Sequence, residues 1–94
     1  MGKYESIIIV SNKINDEARD KVLERIKKYI SENGNLESIE NLGLKRLAYE
    51  IHKHTEAYYF ELDFEMEPSK TLELERIYRI TEEIIKFIVI RKDE

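Results

Sequence analysis

Two periodicities of apolar residues alternate along this chain, and they predict its helices and strands. Isoleucine and valine fill both parities of positions 4–10, which is typical of a largely buried strand. From position 15 to position 34, apolar residues recur every three or four positions, as on one face of a helix. We expect this helix to begin at Asn15, a capping residue followed by two acids, and to end at Gly34 in a left-handed conformation.

The middle of the chain predicts a long hairpin of two strands. Positions 36–51 are expected to form the first strand, with a bulge or bend near positions 41–43, and positions 53–56 are expected to form the turn. Positions 57–66 alternate between apolar and polar residues, as in a strand with one buried and one solvated face. The inward set is Tyr58, Phe60, Leu62, Phe64 and Met66, and the outward set is Tyr59, Glu61, Asp63 and Glu65.

The last third of the chain predicts a second helix, which opens at Pro68, and a fourth strand at positions 84–90. The complete order is β-α-β-β-α-β. Two right-handed crossovers joined by a hairpin give an α+β, ferredoxin-like fold, with a four-stranded antiparallel sheet and two helices on one face. We expect residues 1–94 to form a single domain, because no linker, repeat or low-complexity tract divides them.

The composition excludes several classes of function. The chain has no cysteine, which excludes disulfides, thiolate metal sites and cysteine nucleophiles. Its apolar runs, such as positions 7–10, are too short to span a membrane, and no signal-peptide pattern opens the sequence, so we expect a cytoplasmic protein. A net charge of −4 argues against a protein that coats nucleic acid over its whole surface, but it allows a local basic patch.

Candidate catalytic and metal-binding residues are few. Glu82 and Glu83 are neighbours in the sequence and do not face a shared point, and no nucleophile motif, Walker loop or GxGxxG occurs. The loop at positions 11–13 lacks the arginine and glycines of an acylphosphatase-like enzyme. His52 and His54 have no third ligand at a recognisable spacing, which favours ordinary hairpin-end histidines over a metal site. We therefore expect no enzyme, no cofactor and no small-molecule substrate.

The open face of the predicted sheet does not have the pattern of an RNA-recognition motif. That motif places a basic residue, a glycine and stacking aromatics on its third strand, whereas the corresponding positions 56–63 here lack the basic residue and the glycine. The outward set Tyr59, Glu61, Asp63 and Glu65 is acidic and would repel phosphate. We expect this face to suit a basic protein partner, and a merely solvated face is the alternative.

Positive charge lies at the margins of the predicted sheet. Lys45 and Arg46 interrupt the second strand, and as neighbours on a strand they point to opposite faces, although one edge can present both to a curved RNA backbone. The other cations of this group are Lys3, Arg79, Lys86 and Arg91. Considered without further information, such a scattered set is more typical of surface solvation than of a binding site.

Several segments resemble the family of the sixth protein of the bacterial small ribosomal subunit. The most specific is Leu42–Tyr49, which reads Leu-Gly-x-basic-basic-Leu-Ala-Tyr. The start of the first strand at Tyr4, the aromatic strand Ala57–Phe60 and the last strand with Lys86 and Arg91 also match. The resemblance spans essentially all 94 residues in the same order. Position 2 departs from it, because glycine stands where a basic residue is common.

The resemblance implies a structural, ribosome-associated protein that binds small-subunit ribosomal RNA of the central domain. It also implies a heterodimer with the basic eighteenth protein of that subunit, and neither activity nor cofactor. The basic residues of the family correspond to Lys45 and Arg46 here, with Lys3, Arg79, Lys86 and Arg91 as weaker RNA-binding candidates. A ferredoxin-like module for oligomerisation or ligand sensing is the alternative function.

Overall fold

The computed structural model describes residues 1–92 and has the predicted order of helices and strands. The elements are β1 (Gly2–Ser11), α1 (Asp16–Asn33), β2 (Gly34–Ile51), β3 (His54–Met66), α2 (Pro68–Ile80) and β4 (Ile84–Arg91). The strands form one sheet in the order β2-β3-β1-β4, and every neighbouring pair is antiparallel. The predicted α+β, ferredoxin-like fold is confirmed.

Both helices pack on one face of the sheet. The alternating side chains of β1 and β3 place their buried apolar residues on that face. Ile8 and Phe60 are directly opposite each other and are buried in the same core cluster as Ile26 of α1 and Leu74 of α2. The register of β3 places its predicted inward set on this side and its outward set on the open side. The pattern of apolar residues therefore predicts correctly which face carries the helices.

A buried pair of hydroxyl groups in the core joins β1 to α2. The hydroxyl groups of Ser6 and Tyr78 are 2.9 Å apart and hydrogen-bonded, which satisfies both groups away from water. Burial raises the pKa of Tyr78 to about 12, although the hydrogen bond to Ser6 acts in the opposite direction. Tyr78 therefore stays neutral and fixes the second helix on β1.

The predicted start of α1 is confirmed, but the predicted conformation at its end is wrong. Asn15 caps the helix as expected, since its Oδ1 accepts a hydrogen bond of 2.8 Å from the backbone N–H of Ala18. The left-handed end predicted at Gly34 is wrong, because Gly34 is extended, with φ −175° and ψ −147°. Glycine is required there for another reason: a Cβ atom at Gly34 would collide with the backbone oxygen of Glu65 on the neighbouring strand.

Gly34→Ala is expected to lower the free energy of unfolding by about 1–3 kcal/mol, because overpacking a tight site forces the backbone to shift. The matched control is Gly43→Asn, at a left-handed position (φ 90°) where no atom lies within 4 Å of an added Cβ. Asparagine tolerates this conformation, so the control should change stability little. Denaturant unfolding measures both variants, and a Gly34→Ala protein as stable as the parent would contradict this explanation.

The β2–β3 turn lies earlier in the sequence than predicted. It consists of His52 and Lys53, with φ values of 49° and 65°, and β3 begins at His54 instead of at position 57. A two-residue turn needs left-handed residues, and these two are not typical turn residues, so local sequence gave little signal. Tertiary hydrogen bonds hold the turn instead: His54 contacts Ser11 at 2.7 Å, and the Nζ of Lys13 donates to the backbone oxygen of Lys53 at 3.0 Å.

Strand β2 is bulged, and its largest irregularity changes the open face of the sheet. The predicted bulge near positions 41–43 is confirmed by a register shift between Asn41 and Gly43. A second shift lies between Arg46 and Ile51, where several β2 residues have no partner on β3. Leu47 lies in this bulge and is buried against Ile9 and Ala57, which belong to the open side of the sheet. The bulge therefore folds onto the face that has no helices.

Candidate functional site

The open face of the sheet has two halves of different chemistry. The half nearer the β2–β3 turn holds a groove of about 260 Å³, hereafter the open-face groove. Its walls are Ile7, Ile9, Leu47, Ala48, Tyr49, Ile51, Tyr59, Lys86 and Ile88. Apolar residues of β1 and of the β2 bulge lie beside Tyr59 in this half, so the carboxylates of the predicted outward set belong to the other half.

The β2 bulge connects the two edge strands across the open-face groove. Lys86 of β4 donates a hydrogen bond of 3.2 Å to the hydroxyl of Tyr49, and its Nζ lies 5.6 Å from the centre of the Tyr49 ring. Tyr49 nevertheless remains 64% exposed, and Ile88 on the facing strand is 47% exposed. Apolar surface that remains this exposed beside a concave groove is typical of a binding site for another molecule.

The other half of the open face carries three carboxylates, Glu5, Glu61 and Asp63, hereafter the acidic cluster. One oxygen of each lies within 4.8 Å of the others. Partial desolvation raises the pKa of Glu61, and the negative charges of Glu5, Asp63 and Glu40 raise it further. Lys92 forms an ion pair of 3.0 Å with Asp63, which offsets only part of this repulsion. The acidic cluster thus repels phosphate and attracts cations.

The predicted basic residues divide between the two ends of the sheet. Lys45 lies opposite Ala57, and Lys86 lies opposite Ile9, so both are at the turn end, as is Arg79 near the end of α2. Lys3 and Arg91 lie at the other end, where Lys3 is opposite Glu65 and Arg91 is opposite Tyr4. Arg46 lies next to Lys45, opposite Glu56. The structure therefore brings four of the six cations toward the turn end and separates them from Lys3 and Arg91.

These cations also differ in the contacts that they already make. Lys45 and Arg46 are exposed, and neither forms an ion pair or a side-chain hydrogen bond with another of residues 1–92. Arg79 is 4.0 Å from Glu75, and the guanidinium of Arg91 lies 5.8 Å from the centre of the Tyr4 ring. Lys45 and Arg46 are thus the pair whose charge is most available to an external anion.

Of the two histidines, His54 has a structural role and His52 is exposed. The Nδ1 of His54 donates a hydrogen bond of 2.9 Å to the backbone oxygen of His52, so its Nε2 accepts from the hydroxyl of Ser11. Both ring nitrogens of His54 therefore have protein partners. His52 is exposed on the turn.

Among residues 1–92, no helix is both long and apolar enough to cross a membrane.

Comparison with known proteins gives consistent matches over the full chain. A family model described as Ribosomal protein S6 matches residues 3–91. Small ribosomal subunit protein bS6 of Heliobacterium modesticaldum is 37% identical over 95 residues, covering 100% of this chain and 99% of that protein. The bS6 protein of Helicobacter acinonychis is 42% identical over 94 residues, covering 99% of this chain and 66% of its own length.

A solved structure extends the match to three dimensions. The crystal structure of 30S ribosomal protein S6 from Thermotoga maritima has a TM-score of 0.91 and 35% sequence identity, covering 97% of this chain and 87% of that chain. Sequence and fold therefore agree, and they favour the ribosomal interpretation over an oligomerisation or ligand-sensing module. The chain belongs to the ribosomal protein S6 family, whose members are cytoplasmic, ribosome-associated proteins of the small subunit without enzymatic activity.

Proposed function

We propose that this chain is a structural component of the small ribosomal subunit that binds central-domain ribosomal RNA together with the basic eighteenth protein of that subunit. The division of charge on the sheet carries the proposal. The acidic cluster disfavours phosphate at the centre of the open face, whereas Lys45 and Arg46, which form no ion pair within residues 1–92, lie at its margin. RNA is bound at the margin, and the cationic partner covers the centre.

The RNA contact is made to backbone phosphates by cations at the turn end of the sheet. Lys45 and Arg46 point to opposite faces of an edge strand, so one curved backbone reaches both only by following that edge. Lys86, on the opposite edge strand β4, and Arg79, on α2, add further positive charge at the turn end. Such contacts fix the position and orientation of RNA without reading its sequence, and their strength falls as salt rises.

The partner docks on the open-face groove and the acidic cluster together. Apolar side chains of the partner fill the groove beside Tyr59, which removes exposed Ile88 and Tyr49 from water. Its cations lie over Glu61 and Asp63, whose mutual repulsion they relieve. Residues Tyr59, Glu61, Asp63 and Glu65 of β3 then form the protein-partner face, with Tyr59 as its apolar end.

Glu61→Gln is expected to raise the melting temperature of the free protein and to weaken binding of the basic partner. Because the pKa of Glu61 is raised on folding, the ionised side chain destabilises the folded state at neutral pH, and this penalty disappears as pH falls through that raised pKa toward the usual 4.5. Melting curves should therefore differ at about pH 7 and converge below about pH 4. Glu65→Gln, opposite Lys3 on the same strand, is the control and should not raise stability. A Glu61→Gln protein that melts lower at neutral pH would contradict the repulsion.

Sedimentation of the full chain with a central-domain fragment of small-subunit ribosomal RNA, with and without the eighteenth protein, tests the function. The expected result is a ternary complex that dissociates as salt rises, because phosphate contacts release counterions. A tight homodimer that ignores both RNA and the partner would instead support the oligomerisation alternative and defeat the proposal.

A further inference from the structure

A histidine and two cationic side chains, from three different elements, line one cleft at the turn end of the protein. The cleft has a volume of about 290 Å³ and lies between the β2–β3 turn, the end of α2 and the edge of β4. We call it the turn cleft, and its polar side chains are His52, Arg79 and Lys86, over a floor that includes Tyr78, Ile84 and Phe87. No carboxylate is among its lining residues within the described chain.

The position of His52 in the turn cleft is held by an unusual local conformation. Its φ of 49° is left-handed, which residues other than glycine adopt at a cost unless the surroundings hold them. Here the surroundings do so, because the backbone oxygen of His52 accepts a hydrogen bond from His54, and His54 is anchored on Ser11. The network therefore holds the exposed imidazole of His52 at the cleft.

The nearby groups favour an anion in the turn cleft over a cation. The ion pair of Arg79 with Glu75 is long, at 4.0 Å, and Glu82 lines the adjoining hollow, not the cleft itself. The hydroxyl of Thr81 donates a 2.6 Å hydrogen bond to the oxygen of Ile77, so one helix-end carbonyl that would repel an anion is occupied. Arginine, lysine and histidine offer donors and positive charge, which is the chemistry that recognises a phosphate group.

We infer that the turn cleft is a phosphate-binding site that clamps one backbone phosphate of ribosomal RNA, with His52, Arg79 and Lys86 as its donors. Ser11 and His54 are positioning residues, since they act through the turn and do not touch the phosphate. This inference rests on the proposed RNA-binding function, and it adds His52 to the RNA-contacting surface. The site is concave and is lined by donors from the turn, α2 and β4, although the Nζ of Lys86 also donates to the hydroxyl of Tyr49 on the open face.

Three substitutions test the turn cleft in the full chain with the central-domain RNA fragment and the partner present. Arg79→Ala and Lys86→Gln should each weaken RNA binding roughly five- to eightfold at about 0.1 M salt, since one phosphate contact contributes about 0.7 to 0.9 to the salt slope. The control is Arg76→Ala, one turn earlier on α2, where the side chain is paired with Glu73 at 3.0 Å. This control should bind RNA as the parent does.

His52→Asn separates a binding role from a structural one. Asparagine favours the left-handed conformation of the turn, so the variant should be at least as stable as the parent. It lacks the imidazole, so RNA binding should weaken, although less than for Arg79→Ala because an imidazole offers fewer hydrogen-bond donors than a guanidinium. Stability and affinity thus change in opposite directions, which a merely structural residue would not produce.

A second arm titrates inorganic phosphate into the free protein and follows amide chemical shifts. Saturable shifts at the turn cleft that Arg79→Ala abolishes would support the phosphate site even if the chain failed to bind RNA, a failure that would defeat only the proposed function. The turn cleft is overturned if its three variants bind RNA as the parent does while replacement of Lys45 and Arg46 weakens binding. It is also overturned if neither RNA nor phosphate perturbs its residues.

Discussion

Replacing both Lys45 and Arg46 by alanine is expected to weaken binding of central-domain ribosomal RNA roughly 25- to 60-fold at about 0.1 M salt. Each side chain is exposed and has no ion pair within residues 1–92, so its removal breaks no internal contact. Two lost phosphate contacts lower the slope of log K against log salt by about 1.4 to 1.8. Binding measured over a range of salt concentrations, with the partner present, gives both quantities.

The charge-matched control for this variant removes two cations from the helices. Lys27 and Arg76 are paired with Glu24 and Glu73, each at 3.0 Å, so they contribute the same net charge without being available to RNA. The Lys27→Ala/Arg76→Ala protein should keep nearly all RNA affinity. Equal losses for the two double variants would mean that net charge, and not the margin of β2, governs binding.

The second large effect compares neighbouring aromatic residues of β3 that lie on opposite faces. Phe60 is 2% exposed in the core under the helices, so Phe60→Ala is expected to lower the free energy of unfolding by about 3–5 kcal/mol. Tyr59 is half-buried on the open-face groove, and Tyr59→Ala should cost only about 1 kcal/mol. Urea denaturation of both variants measures this difference.

Binding of the partner should show the reverse order. Tyr59→Ala removes a wall of the open-face groove and should weaken the complex with the basic partner, because aromatic side chains in a central pocket contribute strongly to interfaces. Phe60→Ala, at temperatures where it remains folded, should leave that affinity nearly unchanged. Loss of partner binding in the Phe60 variant alone would place the interface on the helix side and contradict the proposed docking face.

The elements and their faces could be predicted from sequence because both depend on local periodicity. The alternation that separates Phe60 from Tyr59 needs no knowledge of the rest of the chain, and the Asn15 cap acts within one helical turn. The turn at His52 could not be predicted in this way. It is held by the hydrogen bond between His54 and Ser11, which are 43 positions apart in the sequence.

The open-face groove was missed for a related reason. It depends on the register shift after Arg46, which lets Leu47 pack on Ile9, and a long-range contact of this kind has no signature in the spacing of β2 itself. One signal was present: Ile7 and Ile9 make β1 apolar on its open side as well, although no helix covers that side. The need for glycine at position 34 could not be predicted for the same reason, because it comes from the backbone of Glu65 on another strand.

The most direct test is a photo-cross-linking amino acid placed at position 45 in one variant and at position 61 in another. It shows whether RNA binds at the margin of the sheet and the protein partner at its centre. In the complex with ribosomal RNA and the eighteenth protein, the probe at position 45 should cross-link to RNA, and the probe at position 61 should cross-link to the protein. Cross-links from position 61 to RNA, or none from position 45 to RNA, would contradict the account.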